Sequence, residues 1–157
     1  MISIRKSTVR DESAIVGIIL KIEGDSDARG FVSPMATTRQ NAELLFATMF
    51  HPAILAGDPI LLAIENGSII GASFTLLRRG PVEQKVPSAF GLGWWVEPDH
   101  RGEGILTSLL AETEKILRGL KVEAWEEFIH EGNNVALKIA GNRGFHETMV
   151  VLRKDLQ

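Results

Sequence analysis

The string RGEGILTS, Arg101 to Ser108, brings together residue types that can hold an anion. Gly102 and Gly104 carry no Cβ, so a ligand can come close to the backbone there. Ile105, Leu106 and Thr107 would open a helix. The first N–H groups of a helix lack internal acceptors, and the helix dipole makes that end partly positive. A phosphate suits such an end. Arg101 adds forked donors that match phosphate oxygens, and Thr107 and Ser108 add hydroxyls. Arg101, Gly102, Glu103, Gly104, Ile105, Leu106 and Thr107 therefore read as a pyrophosphate cradle. A plain strand-to-helix turn is the other reading these residues leave open. No G-x-x-x-x-G-K-[ST] string occurs, and the glycines of GLGWWV precede a strand end rather than follow it. Neither a P-loop nor a dinucleotide fingerprint is present.

The elements around the turn follow from periodicity. Ile2 to Thr8 alternates and predicts a strand. Asp11 to Gly24 predicts a helix, with Ile15, Ile18, Ile19 and Ile22 at helical spacing. Gly24 to Ala36 has loop composition. Thr37 and Gln40 have capping-box spacing and open a second helix that ends before His51-Pro52. PILLAIE and SIIGASFTLLRR flank Asn66-Gly67, which predicts a type I′ hairpin, with a bulge at Gly71. Ala89 to Val96 predicts a buried strand, then come the turn and a helix closed by Arg118-Gly119. Lys121 to Ile129 predicts a strand, Asn133 to Asn142 a short helix and Phe145 to Leu156 a last strand. One α/β domain over residues 1–157, of the α+β kind, with a largely antiparallel sheet, is the expectation.

Composition narrows the function. The chain has 157 residues, enough for one real core. Net charge is −3, which argues against a general nucleic-acid binder. There is no cysteine, so disulfides, thiolate metal sites and a Cys nucleophile are excluded. His51, His100 and His146 make no metal-ligand spacing with nearby acids, so no metal is expected. No apolar run approaches membrane-spanning length, and no signal peptide opens the chain, so no membrane partner and a cytoplasmic location are expected.

At the turn the chain resembles the GNAT superfamily of acyl-CoA-dependent N-acyltransferases. The family string V-x-P-x-x-R-G-x-G-I is met by VEPDHRGEGI, although Asp99 stands where Gln or Arg is usual. A second motif, N-x-x-A followed by G-F, is met by Asn133, Ala136, Gly144 and Phe145. The firm match runs from Ala89 to Leu156. The resemblance implies six or seven strands, about four helices and a splayed central strand pair. It implies acetyl-CoA as cofactor, with its pyrophosphate on backbone N–H groups from Arg101 to about Leu106. The strand carrying Trp94, Trp95 and Val96 would pair with the pantetheine arm through its backbone, with Trp95 and Val96 as the contacts, and Asn133 would touch the same arm. Leu106 replaces a residue that is commonly small.

The implied reaction is direct attack of a neutral primary amine on the thioester. The amine must first lose a proton, since its pKa lies near 10. Glu97 and Glu127 are the candidate bases, with His130 close to the second, and a solvated role is the alternative for each. Val96 N–H is the candidate oxyanion donor. The family tyrosine that protonates the leaving thiolate is Ala140 here. That leaves an acyl-CoA-binding domain without turnover as the alternative to an enzyme. Two carboxylates lining the cleft would imply a cationic acceptor. Trp94 and Trp95 would face opposite sides of their strand, one in the core. Asp25, Asp27 and Arg29 lie in the loop where acceptor specificity would reside. The expected partner is a small-molecule or peptide amine; no nucleic acid is expected, and a homodimer is compatible.

Overall fold

The structure, a computed structural model, describes residues 1–24, 38–79, 87–129 and 132–148. Its sheet has the order β1-β2-β3-β4-β5, with β1 at Ile2–Lys6, β2 at Ile60–Glu65, β3 at Ser68–Leu77, β4 at Ser88–Val96 and β5 at Ala124–Glu127. Neighbours are antiparallel except β4 and β5, which run parallel. This is the expected mixed, mostly antiparallel sheet, with five strands among the described residues instead of six or seven. The predicted last strand does not begin at Phe145, since 145–148 is not strand, and its remainder lies outside the described residues.

The helices are α1 at Glu12–Gly24, α2 at Arg39–Leu45, α3 at His51–Leu55, α4 at Ile105–Gly119 and α5 at Asn134–Asn142. A π-helical turn, Phe46–Phe50, joins α2 to α3 without a break, so the five segments make four rods. The predicted stop before His51-Pro52 is thus overridden. Pro52 falls in the first turn of α3, a position that tolerates proline. The wider turn takes up the change, with His51 N–H donating to Phe46 O. Phe46 and Phe50 are fully buried and anchor this stretch against the sheet. The cap is Thr38, whose Oγ1 accepts the Asn41 N–H at 3.2 Å, one residue beyond the predicted Thr37. Thr37 itself lies outside the described residues.

Two layers cover the sheet. α1 and the α2–α3 rod pack on one face, where Ile15, Ile19, Phe50, Leu62 and Phe74 share a core. α4 packs on the other through Ile105 and Leu109 against Leu61, Ala63 and Ile70. Asn66 and Gly67, at φ 50° and 81°, form the predicted hairpin turn. The β3 bulge falls at Ile70, next to Gly71, since Ala63 pairs with Gly71 and Ile64 with Ile69. Gly71 serves another end. A Cβ there would meet Trp95 O at 3.1 Å, Ile105 Cγ2 at 3.2 Å and Leu109 Cδ1 at 3.3 Å. The glycine lets the first turns of α4 settle on the sheet, and this fixes the start of that helix in space. Among the described residues no helix is long and apolar enough to cross a membrane.

Candidate active site

β4 and β5 pair only from Ser88↔Ala124 to Gly91↔Glu127. Beyond Gly91, β4 runs on to Val96 with no partner on that side among the described residues. The strands part at a bulge, since Thr75 pairs with Gly91 and Phe74 with Gly93, leaving Leu92 as the extra residue. The result is a gap, closed at Gly91–Glu127 and open beyond Val96. This is the splayed central pair that the resemblance implies.

The β3–β4 register decides which backbone groups face the gap. Glu97 N–H donates to Ile70 O at 2.9 Å. In the alternation of an antiparallel ladder, Val96 opposite Gly71 and Trp94 opposite Ser73 are then non-hydrogen-bonded positions. Their N–H and C=O groups point away from β3, into the gap. Trp95, opposite Ala72, turns its backbone to β3 instead and buries its ring in the core. Of the two residues, Trp94 rather than Trp95 is therefore the one whose backbone groups face the gap.

At the open end stands the glycine turn. Gly102 and Gly104 have φ of 88° and 80°, a conformation that favours glycine. Nothing lies within 4 Å of a Cβ built on either one, so the outer side of the turn is open. Gly104 is the N-cap of α4 and brings no capping side chain. The first helical bond runs from Ser108 N–H to Gly104 O at 3.0 Å. The N–H groups of Ile105, Leu106 and Thr107 precede that bond and have no acceptor within the helix. These features fit an anionic ligand.

Arg101 departs from its expected place. Its backbone N–H donates to Pro98 O at 3.2 Å. Its side-chain Nε donates to Val96 O at 3.1 Å, and the guanidinium lies 5.0 Å from the centre of the Trp95 ring. Arg101 therefore ties the turn to the strand end. Thr107 is exposed, whereas Ser108 Oγ bonds back to Gly104 O at 3.1 Å. Glu103 is exposed and meets His100 Nδ1 at 3.3 Å. Asn133 caps α5, with Oδ1 accepting the Ala136 N–H at 3.0 Å. Ala140 is buried near the end of that helix.

The two candidate acids differ sharply. Glu97, at the open end, is ion-paired with Lys21 of α1. Glu127 ends β5 at the closed end. A Cβ built on Gly91 would fall on its carboxyl, so the carboxyl fills the space this glycine leaves empty. Trp94 Nε1–H donates to Glu127 Oε2 at 2.9 Å, while Oε1 is buried without a hydrogen-bond partner. The residue as a whole is only half-buried, but its carboxyl is enclosed. Burial pushes its pKa up to about 8, opposed in part by the Trp94 and Trp125 indole N–H groups. Trp125 Nε1 falls short of a full hydrogen bond there. Neither carboxylate offers a free negative charge to the gap, so the acidic cleft expected for a cationic acceptor is not formed by this pair. His130 and the Asp25–Arg29 segment lie outside the described residues.

A cavity of about 500 Å³ lies elsewhere, where α3 meets the end of β3, lined in part by Met49, Pro52, Arg79 and Phe90. Its buried Asp58 is already held by Arg79 and by Leu77 N–H.

The model of the acetyltransferase (GNAT) family matches residues 25–145. The chain belongs to the GNAT family. It is an acyltransferase by that membership. No curated protein matches the chain by sequence. Among solved structures, the aminoglycoside N-acetyltransferase AAC(6')-Iy, in complex with the bisubstrate analogue CoA-S-monomethyl-acetylneamine, is 19% identical, with a TM-score of 0.72 over 100% of this chain and 99% of that one. A predicted acetyltransferase with acetyl-CoA from Clostridium acetobutylicum is 20% identical, with a TM-score of 0.72 over 99% and 97%. The aminoglycoside 6'-N-acetyltransferase AAC(6')-Ih from Acinetobacter baumannii is 19% identical, with a TM-score of 0.70 over 100% of both chains. At such identities these likenesses show a shared fold. Within this GNAT chain, sequence reasoning missed Gly91 and Trp94 as partners of Glu127. The signal available was a glycine in a buried strand, whose meaning depends on what lies across from it.

Proposed function

We propose that this GNAT chain transfers an acetyl group from acetyl-CoA to a primary amine of a small molecule by direct attack on the thioester. The observation that carries the reading is the continuity of the gap and the turn. The outward backbone of Trp94 and Val96 leads straight to the uncapped, glycine-bounded start of α4. Phosphates would rest on the N–H groups from Gly102 to Thr107, and Asn133 would border the arm from the start of α5. Acetyl-CoA supplies an acyl group activated as a thioester. Trp94 N–H, the outward donor nearer the closed end, is the one this chain sets toward the developing oxyanion, where one such donor can be worth about 10²–10³ in rate, while Val96 N–H, expected from the sequence in that role, stands at the open end beside the arm. A linear co-substrate whose phosphates sit at the open end brings its thioester toward the closed end. Glu127 is there and Glu97 is not, so Glu127 is the better placed for proton transfer. The acceptor class draws support from structural neighbours named as aminoglycoside acetyltransferases.

The test is thiol release from acetyl-CoA across a panel of small amines that includes aminoglycosides. Release above the amine-free rate with at least one member, and its loss in Gly104→Val, is the expected result. A chain that binds acetyl-CoA yet releases no thiol with any amine would contradict the reading.

A further inference from the structure

We propose that Glu127 is the general acid of the transfer, giving its proton to the sulfur as the carbon–sulfur bond breaks. This rests on the acetyl-transfer reading above. The geometry comes first. Glu127 sits on the last paired rung of β4 and β5, at the closed end of the gap. Its carboxyl lies in the space that Gly91 leaves empty, with Oε2 held by Trp94 Nε1–H. Oε1 is buried, carries no partner and is free to bear the proton. Trp125, on the same face of β5, closes the other side, its ring 5.0 Å from that of Phe145 beyond α5.

Among the described residues no charged group holds this carboxyl in its ionised form. Burial and two indole N–H groups are what act on it. Around it, Arg143 at the end of α5 turns to Glu114 of α4 at 3.0 Å. Arg78 of the segment after β3 pairs with Glu126. α4 meets the sheet here through Thr113, bonded to Ser73 at 3.3 Å. With a pKa near 8, the group is mostly protonated at neutral pH. A thiol has a pKa of about 8.5, so donor and acceptor are closely matched. Ala140 of α5 has only a methyl group to offer.

The step balances. Glu127 gives its proton to sulfur while the carbon–nitrogen bond forms and the carbon–sulfur bond breaks. The surplus proton on the new amide nitrogen restores the carboxylic acid through water. A general base at the same place would run the opposite way, accepting a proton first.

Two measurements decide it, using the whole chain and Glu127→Gln, which keeps the size and the Trp94 contact. The first needs no turnover. CoA is bound to each protein, and thiolate ultraviolet absorbance is followed against pH. A carboxyl against the sulfur couples the two titrations, so the thiolate should appear over a broader, two-step range in the unaltered chain than in Glu127→Gln. Identical curves would overturn the proposal. Failure of the unaltered chain to bind CoA would instead sink the acetyl-transfer reading, and this one with it. The second follows kcat/KM against pH with an accepted amine. An acid predicts a fall as pH rises through about 8, absent in Glu127→Gln. It also predicts a loss of roughly 10²–10⁴-fold in that variant at neutral pH. Amine deprotonation raises both profiles alike, so the comparison is the ratio of the unaltered chain to Glu127→Gln; a ratio that rises through the same pH would show a base and overturn the assignment.

Discussion

A side chain at Gly91 would occupy the space of the Glu127 carboxyl. Gly91→Ala should therefore cost about 1–3 kcal/mol by overpacking. Adding Glu127→Ala should recover part of that loss, because the methyl then has room. Denaturant midpoints of the two single variants and the double variant test this; strictly additive losses would mean the two residues do not share the space. The same carboxyl makes stability depend on pH. Its pKa is raised by folding from 4.5 to about 8, so the unfolded chain ionises first as pH climbs. The native state should lose stability between about pH 4.5 and 8, then level off. Glu127→Gln should flatten that slope when denaturant midpoints are compared across the range. An unchanged slope would mean the group titrates normally. At this scale the sequence offered Glu127 as a candidate base, with a solvated role as the alternative, and had no means to find Gly91 or Trp94 beside it. Their meeting depends on a parallel pairing between strands about 35 residues apart in the chain.

The turn and α4 act as one element. Gly104 at φ 80° opens α4, while Gly71 beneath lets that helix sit close to β3. Gly104→Val places a β-branched residue in left-handed backbone and crowds the N–H groups at the helix start. CoA affinity should fall at least about tenfold, since one lost charge-assisted contact is worth about 1.5–3 kcal/mol. The circular dichroism of the helices should persist. Unaltered affinity would show that the turn is not the phosphate site. The turn, α4 and the hairpin were legible because each is local: spacing, glycines and Asn66-Gly67 decide them. The α2–α3 rod was not, because Pro52 reads as a stop, whereas buried Phe46 and Phe50 and a π turn carry the helix past it. Which tryptophan faces the gap was also hidden. Alternation shows that Trp94 and Trp95 oppose one another, but only the register with β3 says which is which.

Across the whole molecule, the sheet divides two layers that meet at the gap. α1 reaches its open end through Lys21 and Glu97, α4 supplies the helix start, and the β4–β5 rung supplies the closed end with Glu127. A ligand that spans this length touches parts of both layers and binds only the native state. Such a ligand stabilises the fold by mass action, about 2.7 kcal/mol at a hundred times Kd. The measurement that tests the account most directly is a thermal melt with and without acetyl-CoA. The account predicts a rise of roughly 5–11 °C at a hundred times Kd of co-substrate, and a much smaller one in Gly104→Val. A melting temperature unmoved by millimolar acetyl-CoA would contradict it, and the glycine turn would be no more than the bend between β4 and α4.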